Sequence, residues 1–257
     1  IPTGSSRLPV TRSWAFSMAE RQPGATVDAV IPEGQEAGGR FLSADIPAPS
    51  AGLDLSMIIL PVDSILHRVH LEDYGATAFN PGVHGNARFS PICNAEGQPI
   101  PTLYAGATLA CALMETVFHD VPHVPGFKSL DRARFIRQVH STLTLRQPLQ
   151  LVDLASIPLR RLGISRRQLI DTEKDTYPLT RRWAEAIHTQ CPSAQGLSWI
   201  SRQDDSARAL VLFGDRVEAG ALVQSGASSP LLDEAGTCCD AVLDLAERLG
   251  VCIVSAQ

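Results

Sequence analysis

Residues 107–119 read Ala-Thr-Leu-Ala-Cys-Ala-Leu-Met-Glu-Thr-Val-Phe-His, and no other stretch constrains the fold as tightly. At helical spacing Leu109, Ala112, Leu113, Thr116 and Val117 share one face, while Ala110, Cys111, Met114 and Phe118 cover most of the rest. A helix that is apolar nearly all round belongs in an interior. The spacing therefore predicts a buried helix that carries one carboxylate, Glu115, into the core or onto the floor of a cleft. Burying an ionised carboxylate without partners is costly, so Glu115 is either half of an ion pair or a group present for chemistry. Arg88 and Tyr104 lie upstream, on an expected loop and a short strand, where side chains are commonly held over a rigid scaffold. The plainer reading is a structural pair between Glu115 and Arg88, and the other is a ligand site.

Length and composition bound the alternatives. With 257 residues the chain can hold one large domain, or one domain with an extension. No apolar run reaches about 18 residues, so no transmembrane helix is expected. The run at residues 57–62 is short and deep in the chain, unlike a secretory signal. A net charge of −5 argues against nucleic acid as a partner, which needs excess Lys and Arg facing phosphates. Only Lys128 and Lys174 are lysines, so nearly all positive charge is arginine.

Six cysteines show no C-x-x-C pair and no histidine partner at zinc spacing. Cys111 and Cys252 sit in apolar patterns and are expected to be reduced core thiols, which points to a reducing compartment without a structural metal. A bridge between adjacent Cys238 and Cys239 is disfavoured, because one peptide link holds the two Cα atoms closer than disulfide geometry prefers.

Taken in order, residues 1–56 are rich in Pro, Gly, Ala and Ser and read as an extension that is partly extended or wraps the core. Ile1 in place of methionine suggests a start set by expression or processing. Residues 57–257 read as the folded domain. Residues 65–70 predict a strand with Arg68 projecting to one face, and Asn80-Pro81-Gly82 predicts a turn. The buried helix is expected to run until the prolines Pro122 and Pro125 stop it. Strands are expected over residues 132–139 and 143–152, and the basic stretch 160–182 is expected to be partly helical. Trp183, Ala186, Ile187 and Gln190 continue a helix to Cys191-Pro192. Ala209-Leu-Val-Leu-Phe213 suits a central strand. Ala241, Val242, Leu245, Ala246 and Leu249 line one face of a last helix, and residues 251–254 make a last strand.

No G-x-G-x-x-G, P-loop or G-x-S-x-G motif occurs. Glu115 and His119 stand one helical turn apart, but two ligands do not make a metal site, and the histidines show no ligand pattern. An Arg, a Tyr, a Glu and a Ser remain. Such a set serves a bound anion, a flat aromatic group and a transition state that gains positive charge. Arg88 or Arg68 would hold phosphate, Tyr104 would stack on a ring, and Glu115 would steady an oxocarbenium ion or orient ribose hydroxyls. Cleavage of the nicotinamide–ribose bond of NAD+ meets those requirements without being singled out by them.

Four short motifs carry a resemblance. They are Gly85-Asn-Ala-Arg88-Phe89-Ser90-Pro91, Leu103-Tyr104-Ala105-Gly106, Ala112-Leu113-Met114-Glu115 and Gly196-Leu-Ser-Trp199-Ile-Ser201-Arg202, the last preceding the apolar strand 209–213. In order and spacing they resemble the RES-domain family, toxins of bacterial toxin–antitoxin pairs named for their Arg, Glu and Ser, across residues 65–213. Departures are Asn86-Ala87 before Arg88 in place of glycine, Ser90 in place of Asn, and Trp199 where Tyr is common.

The resemblance implies an ADP-ribosyltransferase-like α/β (α+β) fold, a mixed sheet core flanked by helices. It implies consumption of NAD+ as substrate by hydrolysis or phosphorolysis, without a metal, with protein ADP-ribosylation also known in such toxins. Arg88, Tyr104, Glu115 and Ser201 take the catalytic positions, and Arg68, Arg88, Tyr104, Ser201 and Arg202 the NAD+-binding ones. An antitoxin or immunity protein is the implied partner, with neither nucleic acid nor membrane, and the cytoplasm is the implied site of action. The rival from another class is a catalytically inert module that only binds a partner.

Overall fold

The computed structural model describes residues 46–255 other than 83, 235 and 237. Most of the expected N-terminal extension, residues 1–45, thus lies outside the described residues. Its end, residues 46–56, lies against the body. Ile46, Leu53 and Leu55 pack on the core, and the Trp183 indole donates to the Pro47 carbonyl at 2.8 Å.

Among the described residues ten strands and five helices follow. The strands are β1 (Met57–Leu60), β2 (Ile65–Leu71), β3 (Thr102–Gly106), β4 (Lys128–Asp131), β5 (Gln138–Leu145), β6 (Leu149–Asp153), β7 (Gly196–Ile200), β8 (Arg208–Phe213), β9 (Leu222–Pro230) and β10 (Val251–Val254). The helices are α1 (Leu109–Met114), α2 (Ser156–Arg161), α3 (Arg166–Leu169), α4 (Tyr177–Gln190) and α5 (Cys239–Arg248). Eight strands form one sheet in the order β1-β6-β7-β8-β3-β2-β5-β9, and β10 pairs with β4 in a small parallel ribbon. Within the large sheet only β6 and β7 run parallel; the other neighbours are antiparallel. The fold is accordingly a mixed α/β, or α+β, arrangement with helices flanking a mixed sheet.

The apolar runs explain this order. β8 is buried along almost its whole length and lies inside the sheet, as its unbroken apolar sequence requires. β5 alternates half-buried and buried residues, since it covers one face while the other remains partly wet. On one face Val152, Leu197, Trp199 and Val211 meet Leu159, Leu169 and Trp183 from α2, α3 and α4. On the other, Leu66, Leu103, Leu143, Leu151, Leu210 and Leu212 form a second cluster, and α1 and α5 close a third around Phe118. Complete burial of a side chain such as Phe118 contributes roughly 2–3 kcal/mol.

Two features set up the site. β2 and β3 meet at a single residue pair, His67 with Gly106, so the sheet is barely closed there. Gly106 also lets α1 approach: a Cβ on it would lie 2.8 Å from the Ala112 backbone nitrogen and 3.2 Å from the Cys111 Cβ.

Several expectations need correction. The helix does not continue to the prolines. It ends at Met114 with Glu115 as its cap, because the Thr116 hydroxyl bonds back to the Ala112 carbonyl at 2.6 Å and the next turn tightens, Thr116 N–H reaching Leu113 O. Residues 132–134 form a 3-10 turn rather than a strand, since the Asp131 carboxylate takes the Ala133 N–H and starts a turn. Cys252 is exposed, not a core thiol, because β10 buries only Val251 and leaves its other residues half-buried or exposed. All six cysteines are free thiols. Among the described residues no helix is long and apolar enough to cross a membrane, and no group of three or more His, Cys, Asp or Glu is placed to hold a metal ion.

Candidate active site

A cleft of about 360 Å³ opens where β2 and β3 part, between the end of α1 and the start of α4. That volume falls in the range of small-molecule sites. Arg88, Tyr104, Glu115, Tyr177 and Trp199 line it.

Glu115 reaches the cleft because α1 stops at Met114 and delivers the next side chain to its rim. The carboxylate is 16% exposed, enough for a bound molecule to touch it. Its Oε1 accepts the Ser201 hydroxyl at 2.7 Å, and its Oε2 lies 3.9 Å from Arg88 Nη1. At that distance the pair is an ion pair without a direct hydrogen bond. The plain expectation of a Glu115–Arg88 contact is therefore met in a loose form that leaves both groups capacity for a further partner.

Ser201 is fully buried and does not itself line the cleft. Its Oγ accepts the backbone N–H groups of Gln203 and Asp204 at 3.0 and 2.9 Å and gives its proton to Glu115. The segment is fixed in turn by Arg166, whose guanidinium donates to the Ile200 and Ser201 carbonyls at 2.8 and 3.0 Å.

Arg88 sits in the loop before Pro91 and is 4% exposed. α4 holds it twice: Thr180 donates its hydroxyl to the Arg88 carbonyl, and the guanidinium lies 5.7 Å from the centre of the Tyr177 ring. Nε and Nη2 of Arg88 have no hydrogen-bond partner among the described residues. Buried donors are almost always paired, so these two nitrogens can take acceptors that the described residues do not supply.

Tyr104 faces the cleft from β3, and its phenol oxygen accepts the Phe89 N–H at 3.1 Å. Burial pushes its pKa up to about 12, so the hydroxyl stays protonated. Trp199 packs edge-on against both Tyr104 and Phe89, with ring centres 6.3 and 5.1 Å away.

Arg68 and Arg202, expected among the NAD+-binding residues, are not brought to the cleft. Strand alternation puts Arg68 on the opposite face of β2 from His67 and Val69, which do line it. Its Nη1 donates to the carbonyls of Ala76 and Ala78 at 2.6 and 2.8 Å, and burial draws its pKa down to about 10, still leaving it charged at neutral pH. Arg202 is held by the Thr172 carbonyl and by Glu173 at 2.8 Å. Arginines of the basic stretch 160–182 likewise have partners within the chain: exposed Arg161 pairs with Asp54, and half-buried Arg166 with Asp171 and the carbonyls named above.

Sequence reasoning missed Tyr177, Thr180 and Arg166. The first two stand three residues apart at the start of α4, a spacing that marks a shared helix face but not what the face holds. It also treated His67 as an ordinary histidine. His67 lines the cleft, its Nδ1 is 3.0 Å from His140 Nε2, and the two rings stack with centres 5.2 Å apart. At the far rim Lys174 grips both carboxylate oxygens of Asp120 at 2.9 and 3.0 Å. His119 and Lys174 together hold the Asp120 pKa down at about 2.

Comparison with known proteins adds one match. The RES domain family model matches residues 65–232, which span both strands at the cleft and every residue described around it. No curated protein matches the chain.

Proposed function

The chain belongs to the RES-domain family, known from toxin–antitoxin systems connected with NAD+, and on that premise we propose that it binds NAD+ in this cleft and breaks the nicotinamide–ribose bond. The observation that carries this reading is Arg88, a buried guanidinium with two unpartnered nitrogens, lining the same cleft as a carboxylate that retains exposure. A pyrophosphate supplies the acceptors that Arg88 lacks. With the phosphates held there, the ribose lies toward Glu115.

The chemistry then follows from charge. The bond between the anomeric carbon and the pyridinium nitrogen breaks with its electron pair going to nitrogen, so nicotinamide leaves neutral and the sugar gains positive charge. Glu115, oriented by Ser201, stabilises that charge most when it is greatest, which is what lowers the barrier. Water adds to the sugar carbon and loses a proton, giving ADP-ribose; inorganic phosphate in its place gives the phosphorylated sugar. Depletion of the cell's NAD+ would make the protein toxic and would require an antitoxin or immunity partner.

The test is incubation of the purified chain with NAD+, with and without phosphate, and identification of products by mass. Free nicotinamide with ADP-ribose or its phosphorylated form supports the reading. Stoichiometric labelling of lysate proteins replaces it with protein ADP-ribosylation. Intact NAD+ together with unchanged toxicity of Glu115→Ala leaves a module that only binds a partner.

A further inference from the structure

Arg88 is not the only incomplete donor at the cleft. Trp199 lines it, is 1% exposed, and its indole Nε1 has no hydrogen-bond partner among the described residues. Indole nitrogen is a donor only, so what it lacks is an acceptor. Leaving such a buried donor unmatched is costly, and the Tyr104 and Phe89 rings, which stand at 73° and 66° to the indole, bring it no hydrogen-bond acceptor.

Its position says which part of a ligand would supply the acceptor. Trp199 precedes Ser201 by two residues on one extended segment, so the two point to the same side about 7 Å apart. Ser201 holds Glu115, against which the reacting sugar carbon must lie. A flat leaving group attached to that carbon therefore reaches from Glu115 toward Trp199 and lies among aromatic rings. We propose that the Trp199 indole N–H hydrogen-bonds the carboxamide oxygen of the nicotinamide group and so recognises the leaving ring. This rests on the NAD+ reading above and adds a specificity residue to it.

The interaction favours the departing ring in a set orientation and holds the product, so nicotinamide is an inhibitor whose affinity depends on Trp199. Loss of a donor that faces a buried acceptor weakens binding by about tenfold or more. Trp199→Phe keeps an aromatic ring in the same packing and removes only the donor and the second ring.

Calorimetric titration of the full chain with nicotinamide and, separately, with ADP-ribose tests this. Trp199→Phe is expected to weaken nicotinamide about tenfold and to leave ADP-ribose within twofold, the latter also showing that the variant is folded. A ligand series on the unsubstituted chain reads the same contact without any variant: 3-acetylpyridine, which keeps the carbonyl oxygen, binds like nicotinamide, and pyridine binds at least tenfold more weakly. Equal binding of pyridine and nicotinamide overturns the inference, as does a Trp199→Phe variant that loses ADP-ribose instead. If the unsubstituted chain binds neither nicotinamide nor ADP-ribose, the NAD+ reading falls and this inference with it. Binding of both that is indifferent to Trp199 removes the inference alone.

Discussion

The Ser201 hydroxyl has one proton and gives it to Glu115 Oε1 at 2.7 Å, because its oxygen already accepts the backbone N–H groups of Gln203 and Asp204. The serine thus holds the Glu115 carboxylate from backbone that Arg166 clamps, and its proposed role is to position that group. Ser201→Ala frees the Glu115 side chain and strands two N–H groups. Turnover of NAD+ is expected to fall about tenfold to a hundredfold, mainly in kcat, with stability lower by about 1–3 kcal/mol. Steady-state kinetics beside a denaturation curve separates the two effects, and an unchanged kcat would remove the positioning role.

Glu115→Gln keeps the shape and an oxygen for Ser201 but discards the charge. If that charge opposes a developing sugar cation, turnover drops a hundredfold or more while affinity for NAD+ stays within a few fold. Rapid-mixing kinetics and calorimetry on one preparation check it. A variant with nearly full turnover would show that the carboxylate is structural.

Arg88→Lys retains a positive charge but loses the planar fork that can hold two oxygens at once. KM for NAD+ is expected to rise about tenfold or more, and ADP-ribose binding to weaken in parallel, as measured by titration. Unaltered affinity for both would mean that no phosphate meets this side chain.

Arg68→Met tests whether that residue serves the fold or the site. With the Ala76 and Ala78 carbonyls deprived of their donor, stability is expected to fall by about 2–4 kcal/mol, read as a lower urea midpoint. The folded fraction should keep its affinity for NAD+. A selective loss of NAD+ binding without loss of stability would return Arg68 to the site.

Three histidines give stability a pH dependence. Burial first, then the nearby His67 and His70, draws the His140 pKa from its ordinary 6.5 to about 4, and burial lowers His67 and His70 as well. His70 donates its Nδ1–H to the Leu71 carbonyl at 2.9 Å and sets its Nε2 2.8 Å from the Ser141 hydroxyl oxygen. Between pH 6.5 and about 4 the unfolded chain binds protons that the folded chain refuses, so stability is fully present above 6.5 and is lost as pH falls through that window. Thermal melts at pH 7 and pH 4.5 are expected to differ by several degrees from this source. His140→Phe keeps a ring in the stack and should make the difference smaller; an identical slope in the variant would exclude the cluster as its cause.

Much of this was legible beforehand, for definable reasons. Helix and strand periods placed β2, β8, α4, α5 and β10, since the alternation of apolar residues follows from which face each element buries. The lone carboxylate on an apolar stretch marked Glu115, and order of motifs marked Arg88, Tyr104 and Ser201. The end of α1 was misplaced because prolines are visible in sequence, whereas a threonine hydroxyl folding back onto a carbonyl is not.

The sequence by itself determined most of the apolar faces that are buried, the family to which the chain belongs and the presence of a charge that burial must answer for. Only the tertiary structure decided how donors and acceptors match. Arg68 and Arg88 are alike as letters, yet one turns its Nη1 to carbonyls behind a strand and the other lines a cleft with two nitrogens that have no partner among the described residues. The difference lies in which side of β2 a side chain leaves from and in what a helix distant in sequence brings beside it, and hydrogen-bond partners of that kind are fixed by packing in three dimensions rather than by composition or spacing.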